Sequence, residues 1–273
     1  MTLRTRNRSL IIFIILSFLC LGFSFAALFY QVHTGNFEQI FGCKFLSFAG
    51  LSLFEPTDKS VIFGLLFLQV YIPVTALFLY FSFEKTQSTL IILFAIFLLG
   101  CQFQIAKLFI GLLNYKMTFS LEYLCLGKTS IMGKLLALAS FFLIASEAKD
   151  SRKLNIEMDI CILLVSCLVI TIAVPLRTAV PSKNFGITLG YTTIVNTLGL
   201  ITALLTILTF LVSYRETEEK VMIKLLISYC HIIVGFFILT STNILWCIII
   251  GSVLISVGTH LFLSSLHKMY LWD

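Results

Sequence analysis

Charge is scarce in this chain of 273 residues: only 12 % are Asp, Glu, Lys or Arg, against about 25 % in a soluble domain. That shortage excludes a soluble globular enzyme and a disordered segment. Proline is also rare, with four residues, so long helices meet few breaks. The eight cysteines include no CxxC pair and no Cys/His zinc spacing, which removes a disulfide-stapled secreted domain and a zinc site. The four histidines, His33, His231, His260 and His267, do not form the helix-facing pairs of a multi-haem protein. Basic residues do not alternate with aromatics along any stripe, so nucleic acid is not an expected partner. What remains is apolar. Hydrophobic residues make up 59 % of the chain, Phe alone supplies 27 positions, and the mean hydropathy is +1.04. These figures predict an all-α, polytopic membrane helix bundle.

A span needs roughly 20 apolar residues. Read at that window, the sequence predicts eight: Ser9–Tyr30, Val61–Phe83, Ser88–Ile110, Ser130–Ala148, Met158–Leu176, Ile187–Ser213, Met222–Leu239 and Ile244–Leu266. The polar turn Ser241-Thr242-Asn243 joins the last two. Residues 1–273 are therefore expected to form one integral membrane domain. The first apolar run follows Arg4, Arg6 and Arg8 and lacks a small-residue cleavage signature, so it reads as a retained helix.

Orientation follows from Lys and Arg in the loops. One side carries Arg4, Arg6, Arg8, Lys85, Lys149, Arg152, Lys153, Arg215, Lys220 and Lys268; the other carries Lys44, Lys59, Lys116, Lys128, Arg177 and Lys183. The richer side is expected to be cytoplasmic, with both termini on it, in an integral plasma (inner) membrane. Cytoplasmic links are short and charged. External links are longer and half apolar, as in 31–60 and 111–129, and are expected to rest at the interface or dip back into the protein.

Three polar features gather on the external side. Leu124-Cys125-Leu126-Gly127-Lys128 stands at the mouth of the fourth span. Ala173-Val174-Pro175-Leu176-Arg177 ends the fifth. Asn196-Thr197-Leu198-Gly199 lies in the outer half of the sixth. Consecutive spans with short connections can bring Cys125, Arg177 and Asn196 together. A thiol attacks only as thiolate, and a neighbouring guanidinium stabilises that anion. Arg serves poorly as a base, and Asn orients and donates hydrogen bonds without titrating. Each residue also has an ordinary use. Cysteine in an apolar run is a small hydrophobe, arginine at a helix end reaches the headgroups, and asparagine in a span bonds a neighbouring helix.

The order and setting of these residues resemble the exosortase/archaeosortase family of membrane-embedded cysteine transpeptidases. Glu122-Tyr123-Leu124-Cys125-Leu126-Gly127 opens a span, a basic cytoplasmic loop follows, Ile172–Arg177 closes the next span, and Asn196–Gly199 lies in the one after. The resemblance is clearest over 122–211. It departs from the family pattern in three places: Leu126 replaces the usual Ser, the Asn that often precedes the family Arg is absent before Arg177, and Asn196 stands where the family has His. The resemblance implies a Cys thioester mechanism at the external face, acting on exported proteins with a C-terminal transmembrane sorting signal. On this sequence it implies Cys125 as nucleophile, Arg177 as stabiliser of the thiolate or oxyanion, and Asn196 in the acid/base position. It implies no metal and no organic cofactor, and partners limited to those substrates and membrane lipids.

Three other readings compete. Gln69, Gln102, Gln104, Lys107, Lys134, Lys224 and His231 lie in or beside spans, as in a transporter or permease. Lys107 and Lys134 are expected to reach the span ends. Cys43 and Cys125 are placed as in a thiol oxidoreductase resembling the vitamin K epoxide reductase family, although Lys128 occupies the second position of its CxxC. A non-catalytic accessory subunit needs no site at all.

Overall fold

A computed structural model describes residues 3–34, 53–83, 88–112, 121–149, 156–181, 185, 187–190 and 192–271. Among them nine helices and one small hairpin follow in order. These are α1 (Leu3–His33), α2 (Asp58–Phe83), α3 (Leu90–Gln102), α4 (Ile105–Leu112), α5 (Leu121–Lys149), α6 (Ile156–Ala173), β1 (Leu176–Pro181), β2 (Ile187–Leu189), α7 (Thr192–Thr217), α8 (Lys220–Ser241) and α9 (Leu245–Leu271). With α3 and α4 counted as one broken span, eight segments are long and apolar enough to cross a membrane. The protein is an all-α polytopic bundle.

Each expected span is present, and several ends shift by a few residues. The first helix starts at Leu3 rather than Ser9, and the fifth span stops at Ala173, with Leu176 already in β1. Two starts also move: one extends into an expected loop and the other yields to a strand. The fourth span begins at Leu121, not Ser130. Residues 121–129 were expected in an external loop but form the first turns of α5, where the Lys128 and Thr129 side chains find carbonyl partners. The sixth span begins at Thr192. Ile187–Leu189, expected as its start, is instead strand β2, paired antiparallel with β1. Cys43 and most of the first external loop lie outside the described residues.

The bundle closes by small-residue contact and aromatic packing. Lipid tails are as apolar as leucine, so helices associate in a membrane by close packing and hydrogen bonds. A Cβ on Gly100 would stand 2.8 Å from the Ala137 nitrogen and 2.8 Å from the Gly133 carbonyl oxygen. One on Gly235 would stand 2.7 Å from the Ile255 nitrogen. These glycines set the α3–α5 and α8–α9 crossings. Phe94, Phe97, Phe141, Phe236 and Phe262 are all buried at the centre, with the Phe94 and Phe262 centroids 4.9 Å apart. Tyr71 and Thr259 share a hydroxyl hydrogen bond of 2.5 Å between α2 and α9. In contrast, α1, α6 and α7 present Phe29, Ile172 and Ile194 outward, each more than 60 % exposed, as lipid-facing helices do.

Basic side chains finish the carbonyl ends of neighbouring helices. The last carbonyls of a helix lack intrahelical donors and carry partial negative charge. Arg6 donates to the Phe83 carbonyl at the end of α2, at 2.7 Å. Lys107 donates to the Thr240 carbonyl at the end of α8, at 2.6 Å. Lys128 donates to the carbonyls of Thr171 at 2.8 Å, Ile172 at 3.0 Å and Val174 at the end of α6. Three cations that look misplaced in an apolar sequence thus satisfy groups that the membrane cannot hydrate.

Candidate functional site

The Lys128 contact organises the region that the sequence singles out. Cys125 and Lys128 are three residues apart on α5 and share a face of that helix. Lys128 reaches the last turn of α6 and the Val174 carbonyl. From Val174 the chain turns through Pro175 into β1, where Arg177 pairs with Thr188 of β2. The amide of Gly190 donates to the Pro175 carbonyl at 2.8 Å and closes the base of the hairpin. The turn that bears Cys125 and the strand that bears Arg177 are therefore adjacent.

The far end of the hairpin is anchored as well. Phe185, in the link between β1 and β2, is 3 % exposed and packs with Leu28 of α1, Val61, Ile62, Leu65 and Leu66 of α2, and Leu108 of α4. A Cβ on Gly111 would stand 2.8 Å from the Phe185 ring, so only glycine admits that ring against α4. The backbone of Phe185 is left-handed, with φ 54°. That conformation is costly for an aromatic residue, and its deep burial holds it there. The hairpin is a strap, fastened at one end by Lys128 and at the other by Phe185.

The expected site residues stand as follows. Cys125 is an exposed, free thiol, and its carbonyl accepts the Thr129 hydroxyl at 2.8 Å. It belongs to a helix, where the sequence reading placed it in a loop. The backbone of Arg177 is in β1; its side chain lies outside the described residues. Asn196 is exposed in the first turns of α7. Its depth differs from that of Cys125. Gly199, three residues on from Asn196, meets the Leu138 side chain at 3.3 Å. Leu138 lies about 20 Å along the α5 axis from Cys125, at 1.5 Å per residue. Spans four and six run in the same direction, so Asn196 sits on the order of 10 Å deeper than the thiol even after the Leu138 side chain leans back toward the start of its helix. The strap brings Cys125 and Arg177 to one neighbourhood; α7 holds Asn196 below it.

Sequence reasoning passed over two contributors. Lys128 was visible as a cation at the start of an apolar run, one turn beyond a cysteine. Phe185 gave no local signal, because its role comes from a contact with distant helices. Among the described residues no group of three or more His, Cys, Asp or Glu side chains is placed to hold a metal ion. The chain matches no protein-family model, no curated protein and no solved structure. Its class is that of a multi-pass helical membrane protein, and any narrower assignment rests on the site.

Proposed function

We propose that this protein is a membrane-embedded cysteine peptidase or transpeptidase of the exosortase type, working at the external face of the plasma membrane. The observation that carries the reading is the strap: it holds the Arg177 backbone beside the turn of α5 that exposes Cys125. In this account the Cys125 thiolate attacks a substrate peptide carbonyl near the outer boundary. The guanidinium of Arg177 balances charge first on sulfur and then on the tetrahedral oxygen. Collapse of that intermediate forms a thioester and expels the amine of the substrate's C-terminal portion, which takes up the thiol proton through water. An amine acceptor, or water, then attacks the thioester and restores the thiol.

Asn196 lies too deep to exchange a proton with Cys125 directly. Its amide is better placed to hydrogen-bond a substrate helix docked against α5 and α7. The substrate class is an exported protein whose C-terminal helix enters the bilayer beside the bundle.

The test is comparative mass spectrometry of the C-termini of exported membrane-anchored proteins. Cells carrying Cys125→Ala should accumulate full-length precursors that the parent strain trims, and Arg177→Ala should do the same. If both variants leave every C-terminus unchanged, the reading fails. A permease reading draws instead on the buried Lys107 and the half-buried Lys134, and it expects that unchanged result.

A further inference from the structure

The first turns of α1 carry a charged face that the proposed chemistry does not use. Arg6 is buried, and its guanidinium donates to the Asn7 side-chain oxygen at 2.8 Å and to the Phe83 carbonyl at 2.7 Å. The Phe83 bond fixes which face of α1 meets the end of α2. Residues advance by about 100° around a helix, so Arg4 and Arg8, two positions to either side of Arg6, project from the opposite face. Both are exposed.

Arg4 and Arg8 stand one turn apart, and Cβ atoms at that spacing are about 6 Å from each other. Neither has a hydrogen-bond or carboxylate partner among the described residues. No Asp or Glu occurs in α1, so the helix itself supplies no counter-charge. Guanidinium groups pair well with phosphate, which accepts two parallel N–H bonds from each.

The same face continues as apolar surface. Ile12, Ile15 and Leu19 follow at steps of three and four residues, exposed at 58 %, 54 % and 64 %. Gly22 comes next, and a Cβ there would meet nothing within 4 Å, so the missing side chain leaves a dent in that face. From Arg8 to Leu19 the helix rises about 17 Å, close to the ~15 Å hydrocarbon depth of one leaflet. A free anion would use only the arginine pair. A phospholipid uses the whole face, with its phosphate at the arginines and an acyl chain along the apolar track. A zwitterionic headgroup would bring a third cation to a face that already holds two, which favours a lipid of net negative charge.

We infer that the Arg4–Arg8 face of α1 binds one anionic phospholipid of the leaflet in which α1 begins, with the phosphate held between the two guanidinium groups. The site is independent of Cys125 and of the strap.

Native mass spectrometry of the full chain released from detergent reads bound lipid directly. The protein is titrated with phosphatidylglycerol and with phosphatidylcholine, and bound lipid is challenged with inorganic phosphate. The first phosphatidylglycerol should bind about tenfold tighter than phosphatidylcholine. Arg4→Gln combined with Arg8→Gln should abolish that preference, and Arg4→Lys combined with Arg8→Lys should keep part of it. Neither arginine has a partner among the described residues, so the double Gln variant should melt at the parent's temperature. Lys268→Gln removes an exposed cation near the end of α9 and should leave the preference intact. Equal binding of the two lipids overturns the site. So does a preference that survives the double Gln substitution, or one that Lys268→Gln weakens as much, since bulk charge then suffices. Displacement of phosphatidylglycerol by an equal concentration of inorganic phosphate overturns the assignment to a lipid.

Discussion

Cys125 differs from Cys101 and Cys167 by where it sits. Cys101 is fully buried and Cys167 nearly so, each inside an apolar helix face, while Cys125 is exposed near the start of α5. A membrane-impermeant maleimide added to intact cells should therefore label Cys125 and leave Cys101 and Cys167 unmodified. Labelling of Cys125 only after the membrane is opened would reverse the topology. Lys128 makes its own prediction. Replacing it by Met removes charge-assisted hydrogen bonds to carbonyls at the end of α6 and leaves those groups without donors. The cost should be about 2 kcal/mol, read as a lower melting temperature in detergent. Lys128→Arg should recover part of it, because a guanidinium also donates to several acceptors.

At the scale of elements, the strap is the least expected structure. Ile187-Thr188-Leu189 looks like the apolar start of a span, and nothing local marks it as a strand. What turns it is the Gly190 bond to Pro175 and the pairing of Arg177 with Thr188, contacts between positions that sequence periodicity does not link. The same holds for α5. Glu122, Cys125, Lys128 and Thr129 make residues 121–129 look like a loop, yet Lys128 and Thr129 both satisfy carbonyls once the helix forms. The spans themselves were legible, because run length and apolarity alone decide whether a helix can cross a bilayer. Phe185 tests the strap directly. Phe185→Ala should destabilise the protein by about 3 kcal/mol and release the hairpin to limited proteolysis while the helical content stays the same. An unchanged cleavage pattern would show that the hairpin does not depend on that anchor.

The whole molecule is held by close helix crossings at glycine and capped by cations at carbonyl ends. The Gly100–Gly133 crossing is the tightest: a Cβ on Gly133 would stand 2.5 Å from the Gly100 carbonyl oxygen. Gly133→Val should force α3 and α5 apart and reduce the folded yield sharply, whereas Gly22→Val should be tolerated, since nothing lies within 4 Å of that position. Expression as a monodisperse peak in size-exclusion chromatography checks both. The candidate site was legible in part. Cys125 and Arg177 could be named from residue type and from their places at the ends of consecutive spans. The depth of Asn196 could not, because it depends on how far α7 is shifted along α5.

The central claim is that the strap holds position 177 beside Cys125 at one level of the bundle. Arg177→Cys and Asn196→Cys, each made in a chain that keeps Cys125 but lacks the other exposed cysteines, test it with a short bifunctional thiol reagent in native membranes. The account predicts a cross-link, identified by mass spectrometry, between Cys125 and the thiol introduced at position 177. It predicts none between Cys125 and the thiol introduced at position 196. No cross-link at 177, or equal cross-linking at 196, would contradict it.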